Sequence, residues 1–171
     1  MRFKCATCGA EHDAADLEPS FDAPLAYYQL PQAERGARAL LKQERCWITD
    51  TGDRQRRYFL RVVMPIPVHG ETRPCYWGAW VEIDRQVSER VDELWDDPDQ
   101  GKEPLLPATL ANELGEFPGS NGLAGFLQLV DERTRPNFLV APTVNHPLRE
   151  AQATGVPVED TIAWIMARAH G

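Results

Sequence analysis

The chain has 171 residues, 43% of them hydrophobic and 26% charged, and a formal net charge of −8 at pH 7. This length and apolar content suit one domain, residues 1–171, and leave little room for a second core. The acidic balance argues against a nucleic-acid partner, because phosphate neutralisation needs clustered Lys and Arg side chains.

The hydrophobic segments are all short. No run approaches the roughly 20 apolar residues that span a bilayer, and the N-terminal sequence MRFKCATCG lacks the apolar stretch of a signal peptide. We therefore expect a cytoplasmic protein with no membrane partner. Its four cysteines are too few for a disulfide scaffold, and in a reducing compartment a close cysteine pair more often binds metal or is redox-active.

Residues 1–13 carry the sharpest chemical signal in the sequence. Cys5 and Cys8 are three positions apart and Gly9 follows them, a spacing that suits a zinc knuckle in which glycine adopts the unusual backbone conformation. His12 is close enough to serve as a third ligand. The pattern therefore predicts a structural zinc site in this N-terminal segment.

A structural zinc site needs four protein ligands, so the fourth must come from elsewhere in the chain. The alternatives are Cys46, His69, Cys75 and His146. We prefer Cys46, a soft ligand at the start of a predicted strand. Other interpretations stay open: a redox-active cysteine pair, a degenerate knuckle with free thiols, or a catalytic zinc with an open water position.

Three elements are predicted before the middle of the chain. Residues 16–30 are typical of an irregular segment laid over the core. Pro31 is predicted to open a helix, since proline is favoured at the first helical position. The buried stripe of that helix would be Ala33, Ala37, Leu40 and Leu41. A short strand is predicted over residues 46–50.

The stretch from Arg57 to Asp84 is predicted to form an antiparallel β-hairpin, because two β-branched and aromatic runs flank a polar turn. Side chains alternate along a strand, so one face of the second run belongs to the core: Cys75, Trp77, Ala79, Val81 and Ile83. The other face carries Trp80, and Arg61 lies on the first run. Arg61 could pair with an acid, hold an anion or stack on Trp80. Pro65 and Pro67 should end the first run or place it at a sheet edge.

Asp84 is the predicted N-cap of the next helix. Its apolar residues at helical spacing are Val87, Val91, Leu94 and Trp95. A short helix is predicted over residues 109–114, and a second pair of strands over 126–130 and 138–140.

Two helices are predicted at the C-terminal end. One begins at residues 145–148 and is broken by Gly155; the other opens at Pro157. The inward residues of the last helix are Val158, Ile162, Ile165 and Met166, with Trp164 offset from that stripe. Taken together, the elements predict an α+β fold: an antiparallel sheet of about five or six strands with helices packed mainly on one face, and the N-terminal Cys-x-x-Cys knuckle.

Seven short motifs occur in one order along nearly the whole chain. They are Phe3-Lys4-Cys5 with Cys8-Gly9 and His12, Phe21-Asp22-Ala23-Pro24, Cys46-Trp47-Ile48, Ile66-Pro67-Val68, Trp77-Gly78-Ala79-Trp80-Val81, Leu94-Trp95-Asp96-Asp97-Pro98 and His146-Pro147-Leu148. The set resembles the bacterial domain-of-unknown-function family numbered 2199. The resemblance implies a single domain and no established activity. The family's pattern has acids where this chain has Asn145 and Ala151, so the resemblance does not support an acid-assisted role for His146.

Three functions are compatible with the sequence. The first is a zinc-stabilised, non-enzymatic binding or interaction domain that holds a protein or small-molecule partner through Arg61, Trp80 and His146. The second is a zinc-dependent enzyme acting on a small molecule, in which the zinc keeps an open position and His146 acts as acid or base. The third, an immunity or antitoxin-like partner protein, follows from composition alone. No catalytic residue is assigned.

Overall fold

The computed structural model describes residues 2–4, 11–13, 18–52 and 55–168. The strands are β1 (Arg2–Lys4), β2 (Glu11–Asp13), β3 (Ala39–Leu41), β4 (Arg45–Thr49), β5 (Arg56–Ile66), β6 (Cys75–Ile83), β7 (Leu106–Leu110), β8 (Ala124–Gln128) and β9 (Asn137–Val140). The helices are α1 (Leu25–Gln29), α2 (Gln32–Arg38), α3 (Arg85–Leu94), α4 (Pro147–Thr154) and α5 (Val158–Arg168), with a 3-10 turn at Gln100–Lys102. β1 and β2 pair as a separate two-stranded sheet.

The other seven strands form one sheet that closes on itself. Its order is β3-β4-β5-β6-β7-β8-β9, with antiparallel neighbours, and β9 returns to β5 through a parallel pairing of Val63 with Asn137. β5 to β9 thus make a five-stranded barrel, from which β3 and β4 extend. The predicted α+β class is confirmed. The prediction of an open antiparallel sheet is wrong, because a parallel contact between β5 and β9, which are far apart in sequence, closes the sheet into a barrel.

The predicted hairpin supplies the first two strands of the barrel. β5 and β6 pair from Tyr58 opposite Ile83 to Ile66 opposite Cys75. Alternate side chains point into the core, and those with no exposed surface are Leu60, Val62, Met64, Ile66, Trp77, Ala79 and Val81. Each large apolar side chain buried in this way stabilises the fold by about 1.5–3 kcal/mol. The inward face predicted for the second run is therefore confirmed.

The seam between β5 and β9 is short because of Pro65. The N–H groups of Arg61 and Val63 point away from β6 and donate to the carbonyls of Glu44 and Pro136, each at 3.0 Å. Alternation puts residue 65 next on the same edge, but proline has no N–H to donate. The hydrogen bonding between β5 and β9 therefore stops before Pro65, although β5 continues to pair with β6 as far as Ile66.

Beyond the end of this ladder, the side chain of Gln152 on α4 hydrogen-bonds the backbone of β9. Its side-chain amide accepts a hydrogen bond from the Val140 N–H and donates one to the Phe138 carbonyl, both at 2.9 Å. The neighbouring Ala141 N–H bonds Ala124 on the β8 side, so by alternation the Val140 N–H lies on the edge that faces β5. One side chain therefore completes the backbone hydrogen bonding of the seam.

A second core lies on the outer face of β4, β5 and β6. Its buried members are Leu30, Cys46, Ile48, Phe59, Trp80 and Ala111. The segment from Ser20 to Leu30 covers them, and the Leu25 N–H fixes α1 there by donating to Ala111 at 2.8 Å. The expectation of a segment laid over the core fits residues 18–30, although part of that segment is helical.

Three helices contribute buried residues to the barrel core, namely α3, α4 and α5. The Asp84 carboxylate caps α3 as predicted, accepting from the Val87 N–H at 2.8 Å. α4 ends before Gly155, whose φ of 84° a residue with a side chain rarely adopts. On α5, Trp164 contacts Trp77 with ring centroids 5.3 Å apart. Because α1 packs on the outer face instead, the helices do not share one face of a sheet.

Two predicted helices are wrong in part or in full. The helix predicted from Pro31 ends at Arg38, and the chain continues as β3, where Leu41 lies opposite Cys46. Strand pairing here overrides local helix propensity. Residues 109–114 hold the end of β7 rather than a helix, since Ala111 donates to the Trp80 carbonyl at 2.8 Å. No helix within the described ranges is long and apolar enough to cross a membrane.

Candidate functional site

Trp80 lies opposite Arg61 on the outer face of the barrel, as the alternation predicts. Its indole has no exposed surface, and the indole N–H donates to the Phe21 carbonyl at 3.0 Å. The backbone N–H of Trp80 donates to the buried Asn112 side chain at 2.7 Å. The surface predicted around Trp80 is therefore covered by the chain itself, and this residue anchors the second core.

Gly78 allows the segment before α1 to lie directly on β6. The Gly78 N–H donates to Pro19 at 2.9 Å, and the Phe21 N–H donates to Gly78 at 3.1 Å. A Cβ at position 78 would stand 2.6 Å from Glu18 Oε1 and 2.8 Å from Ser20 Cβ. The missing side chain thus makes room for the Glu18 carboxylate above the strand.

That carboxylate belongs to a cluster of four charged residues, Glu18, Glu44, Arg61 and Arg135, which we call the outer charged cluster. Arg135 binds Glu44 through two hydrogen bonds, from Nε at 2.9 Å and from Nη2 at 3.2 Å. Its contact with Glu18 is longer, 3.6 Å from Nη1 to Oε1. Glu44 also accepts the Arg61 backbone N–H. The four residues come from four separate parts of the chain: the segment before α1, the β3–β4 turn, β5 and the segment before β9.

The Arg61 guanidinium has no hydrogen-bond acceptor among the described residues. Its Nε is fully buried and unpaired within that part of the chain, although the side chain as a whole is half-buried. Arg61 acts on Glu18 only through charge, lowering the pKa of that carboxyl. Both carboxylates of the cluster contact Arg135 instead. A buried donor without a partner is costly, so an anionic acceptor that reached this Nε would stabilise the protein.

Burial dominates the electrostatics around Glu18. Loss of solvent raises the pKa of its carboxyl, the charges of Arg135 and Arg61 oppose that shift, and Glu44 adds to it. The nearby Cys75 thiol is also buried, and this burial, with the charge of Glu18, raises its pKa to about 11. The thiol is therefore protonated at neutral pH and does not supply a thiolate beside the cluster.

His146 lies on other elements and has both ring nitrogens engaged. Its Nδ1 accepts the Leu148 N–H at 3.1 Å, which caps α4. That bond assigns the proton to Nε2, which lies 3.0 Å from the Pro118 carbonyl. His146 thus ties the start of α4 to the loop before β8, and the structure does not bring it together with Arg61 through any described contact.

The predicted metal ligands lie mostly outside the described residues. This holds for Cys5 and Cys8 and for the His12 side chain; the backbone of His12 is part of β2, opposite Phe3. Cys46 is buried in the second core, and burial raises the pKa of its thiol to about 12. Among the described residues, no group of three or more His, Cys, Asp or Glu side chains could hold a metal ion.

Three of the four residues in the outer charged cluster, Glu18, Glu44 and Arg135, carry no functional motif in the sequence. An isolated glycine inside a predicted strand is a known signal for close backbone approach, so Gly78 could have indicated that another segment crosses β6. That signal would have led to Glu18. Nothing in the sequence pairs Glu44 with Arg135, because their contact depends on the β3–β4 turn meeting the start of β9.

No curated protein and no solved structure matches the chain significantly. A family model does match: "Uncharacterized protein conserved in bacteria (DUF2199)", over residues 4–156. The matched span includes every member of the outer charged cluster.

Proposed function

The chain belongs to the DUF2199 family of uncharacterised bacterial proteins, and because that membership carries no activity, we propose from its geometry that it is a non-enzymatic binding domain. In this proposal the Arg61 guanidinium holds an anionic group of the ligand. The single observation that carries the proposal is the buried, unpaired Nε of Arg61 among the described residues.

The ligand group should be a carboxylate or a phosphate. A guanidinium presents a rigid fork of donors that matches both groups, and hydrogen bonds to charged groups stabilise by about 1.5–3 kcal/mol each. The charges of Arg135 and Arg61 both act on the Glu18 carboxylate, and the 3.6 Å contact of Arg135 with Glu18 is too long for a strong hydrogen bond. An incoming anion can therefore replace Glu18 as the neighbour of both guanidinium groups.

We also propose that zinc stabilises the N-terminal segment through Cys5, Cys8 and His12. β1 and β2 pair with Phe3 opposite His12. The segment that connects these strands contains both cysteines, and the pairing of Lys4 with Glu11 brings its two ends close together. Two thiolates and an imidazole suit zinc. Cys46, the preferred fourth ligand, lies in the second core, and binding zinc there would release its thiol proton. Bound zinc would fix this segment and take part in no reaction.

A zinc-dependent enzyme using His146 as acid or base has less support. Both ring nitrogens of His146 already serve backbone groups, one at the start of α4 and one at Pro118. A general acid or base must be free to exchange its proton with a substrate. We therefore keep the binding domain as the proposed function.

Anion binding is tested by an NMR signal of the Arg61 side chain itself. The Nε–H NMR signal of Arg61 is recorded while inorganic phosphate, and separately acetate, is added at millimolar concentration. We expect this signal to move and to saturate, and the Arg61→Gln variant to lose the accompanying thermal stabilisation. Arg57→Gln is the matched control, since Arg57 lies on the same face of β5 but is paired with Glu82 at 2.6 Å.

Two results would contradict the proposal. One is an Arg61 signal that neither anion moves. The other is a thermal stabilisation that Arg61→Gln and Arg57→Gln reduce equally, because that would indicate general charge screening rather than a site.

A further inference from the structure

The strands that extend beyond the barrel have one covered face and one partly exposed face. On the covered face Leu41 and Cys46 join the second core. On the other face Leu40 lies opposite Trp47, and Trp47 lies opposite Tyr58, so three large side chains form a row across β3, β4 and β5. Trp47 is half-buried, and Tyr58 is partly buried against the barrel core. Leu40 remains 38% exposed.

Two cations flank the middle of this row. Lys42 Nζ lies 5.8 Å from the centre of the Trp47 ring, and the Arg56 guanidinium carbon lies 5.6 Å from it. Both distances are within the range of a cation–π contact. Neither cation forms an ion pair with any acid in the described part of the chain. We call Leu40, Lys42, Trp47, Arg56 and Tyr58 the aromatic-basic face.

Other cations nearby are already neutralised. Arg45 joins Asp92 at 2.9 Å and stacks on Trp95 at 4.8 Å, and these contacts place α3 along one border of the face. Arg85, at the start of α3, joins Glu89 at 2.7 Å. An open hollow of about 610 Å³ lies between Arg85 and the start of β5 and is lined by Arg56 and Tyr58. Within the described residues the unpaired charge therefore lies at Lys42 and Arg56, beside a hollow that can admit side chains.

We propose that the aromatic-basic face docks an acidic segment of a partner protein that also carries apolar side chains. The chain has a net charge of −8 and repels acidic partners in general, so a local surplus of two cations selects the place where an acidic segment approaches. Trp and Arg side chains are also the residues that contribute most often to protein interfaces. Leu40 and Trp47 supply the apolar contact.

A nucleic acid is a poorer occupant of the same face. Binding to a phosphate backbone draws its affinity from many neutralised charges, whereas the described residues of this face supply two unpaired cations. An acidic peptide needs fewer charges because its apolar side chains add contact area. This docking surface is also separate from the outer charged cluster, since Tyr58 and Arg61 point to opposite faces of β5.

The experiment measures fluorescence anisotropy of a labelled synthetic peptide that combines Glu and Asp residues with Leu and Phe. We expect saturable binding that weakens with added salt, and about tenfold weaker binding by the Lys42→Glu/Arg56→Glu variant. Both substituted side chains are exposed, so the variant should fold, which circular dichroism verifies.

The matched control is Arg73→Glu/Arg149→Glu, which changes the net charge by the same amount at exposed positions elsewhere. We expect it to bind the peptide nearly as well as the unchanged protein. Arg61→Gln should also keep peptide binding, which separates this surface from the anion site proposed above.

Four results would overturn the inference. The acidic peptide does not bind; both double variants lose binding equally; a single-stranded oligonucleotide binds through this face and the peptide does not; or sedimentation shows self-association that Lys42→Glu/Arg56→Glu abolishes. In the last case the occupant is a second copy of the chain.

Discussion

Replacing Gln152 by Met tests how the barrel closes. Methionine has nearly the same length and shape, but it leaves the Val140 N–H and the Phe138 carbonyl without their partner. An unsatisfied buried group costs about 1–3 kcal/mol, and because both bonds are only partly buried we take about 1 kcal/mol each. For 171 residues, unfolding entropy near the midpoint is about 0.36 kcal/mol/K, so a loss of about 2 kcal/mol lowers Tm by about 6 °C.

Calorimetry or circular dichroism melting measures that shift, and hydrogen exchange locates its origin. The Val140 amide should exchange faster in the variant, since its protection comes from Gln152. Gln128→Met is the matched control: Gln128 is exposed on β8, and its one side-chain hydrogen bond among the described residues is accepted from Asn137 at 3.2 Å. That change should cost less than about 0.5 kcal/mol. Equal melting temperatures for the two variants would refute the role given to Gln152.

Three further predictions concern single groups. Asp84→Ala should lower the free energy of unfolding by about 1 kcal/mol in urea titrations, and Asp84→Asn should retain most of it. Burial raises the pKa of Glu18 above its ordinary 4.5, so the native state binds this proton more tightly than the unfolded chain, and the stability it contributes is lost as pH rises through the native pKa. Glu18→Gln should therefore gain stability relative to the unchanged protein as pH rises from about 4.5 to the native pKa, with no further gain above it; parallel pH profiles would contradict this. Burial raises the pKa of Cys46 to about 12 and of Cys75 to about 11. In a variant lacking both knuckle cysteines, neither thiol should react with a thiol reagent at mildly alkaline pH until urea unfolds the protein.

Local chemistry was enough to predict several elements of the fold. The hairpin of β5 and β6 follows from alternation and from its polar turn, and the start of α3 follows from Asp84 as N-cap. The end of α4 follows from Gly155, which has a positive φ. In each case the residues that determine the structure are neighbours in sequence.

Closure of the barrel could not be predicted in the same way. Pro65 indicated that the β5 ladder would stop, but not that β9 would be the strand it meets, nor that Gln152 would bond the free edge. The helix predicted through Leu41 failed for a related reason: β3 is held by its pairing with β4, which local propensity does not include. Contacts between distant residues decided both outcomes.

The candidate site was predictable in one residue only. Alternation placed Arg61 on the face of β5 opposite Leu60 and Val62, which the structure bears out. The register that puts Trp80 opposite Arg61 is seen only in the structure. The sequence did not indicate that a segment crossing Gly78 would cover Trp80 and leave Arg61 at the margin of the second core. It also gave no sign that Arg135 would bind the carboxylates that Arg61 could have paired with.

The alternation of β5 explains why the two proposed binding surfaces can work independently. Arg56 and Tyr58 point to the face of the sheet that carries Trp47. Arg61 points to the opposite face, which carries Trp80. No residue is shared between the aromatic-basic face and the outer charged cluster. Residues without shared partners contribute additively to binding and stability. Combining Arg61→Gln with Lys42→Glu/Arg56→Glu should therefore sum their separate effects, whereas a larger or smaller combined effect would show that the sheet couples its two faces.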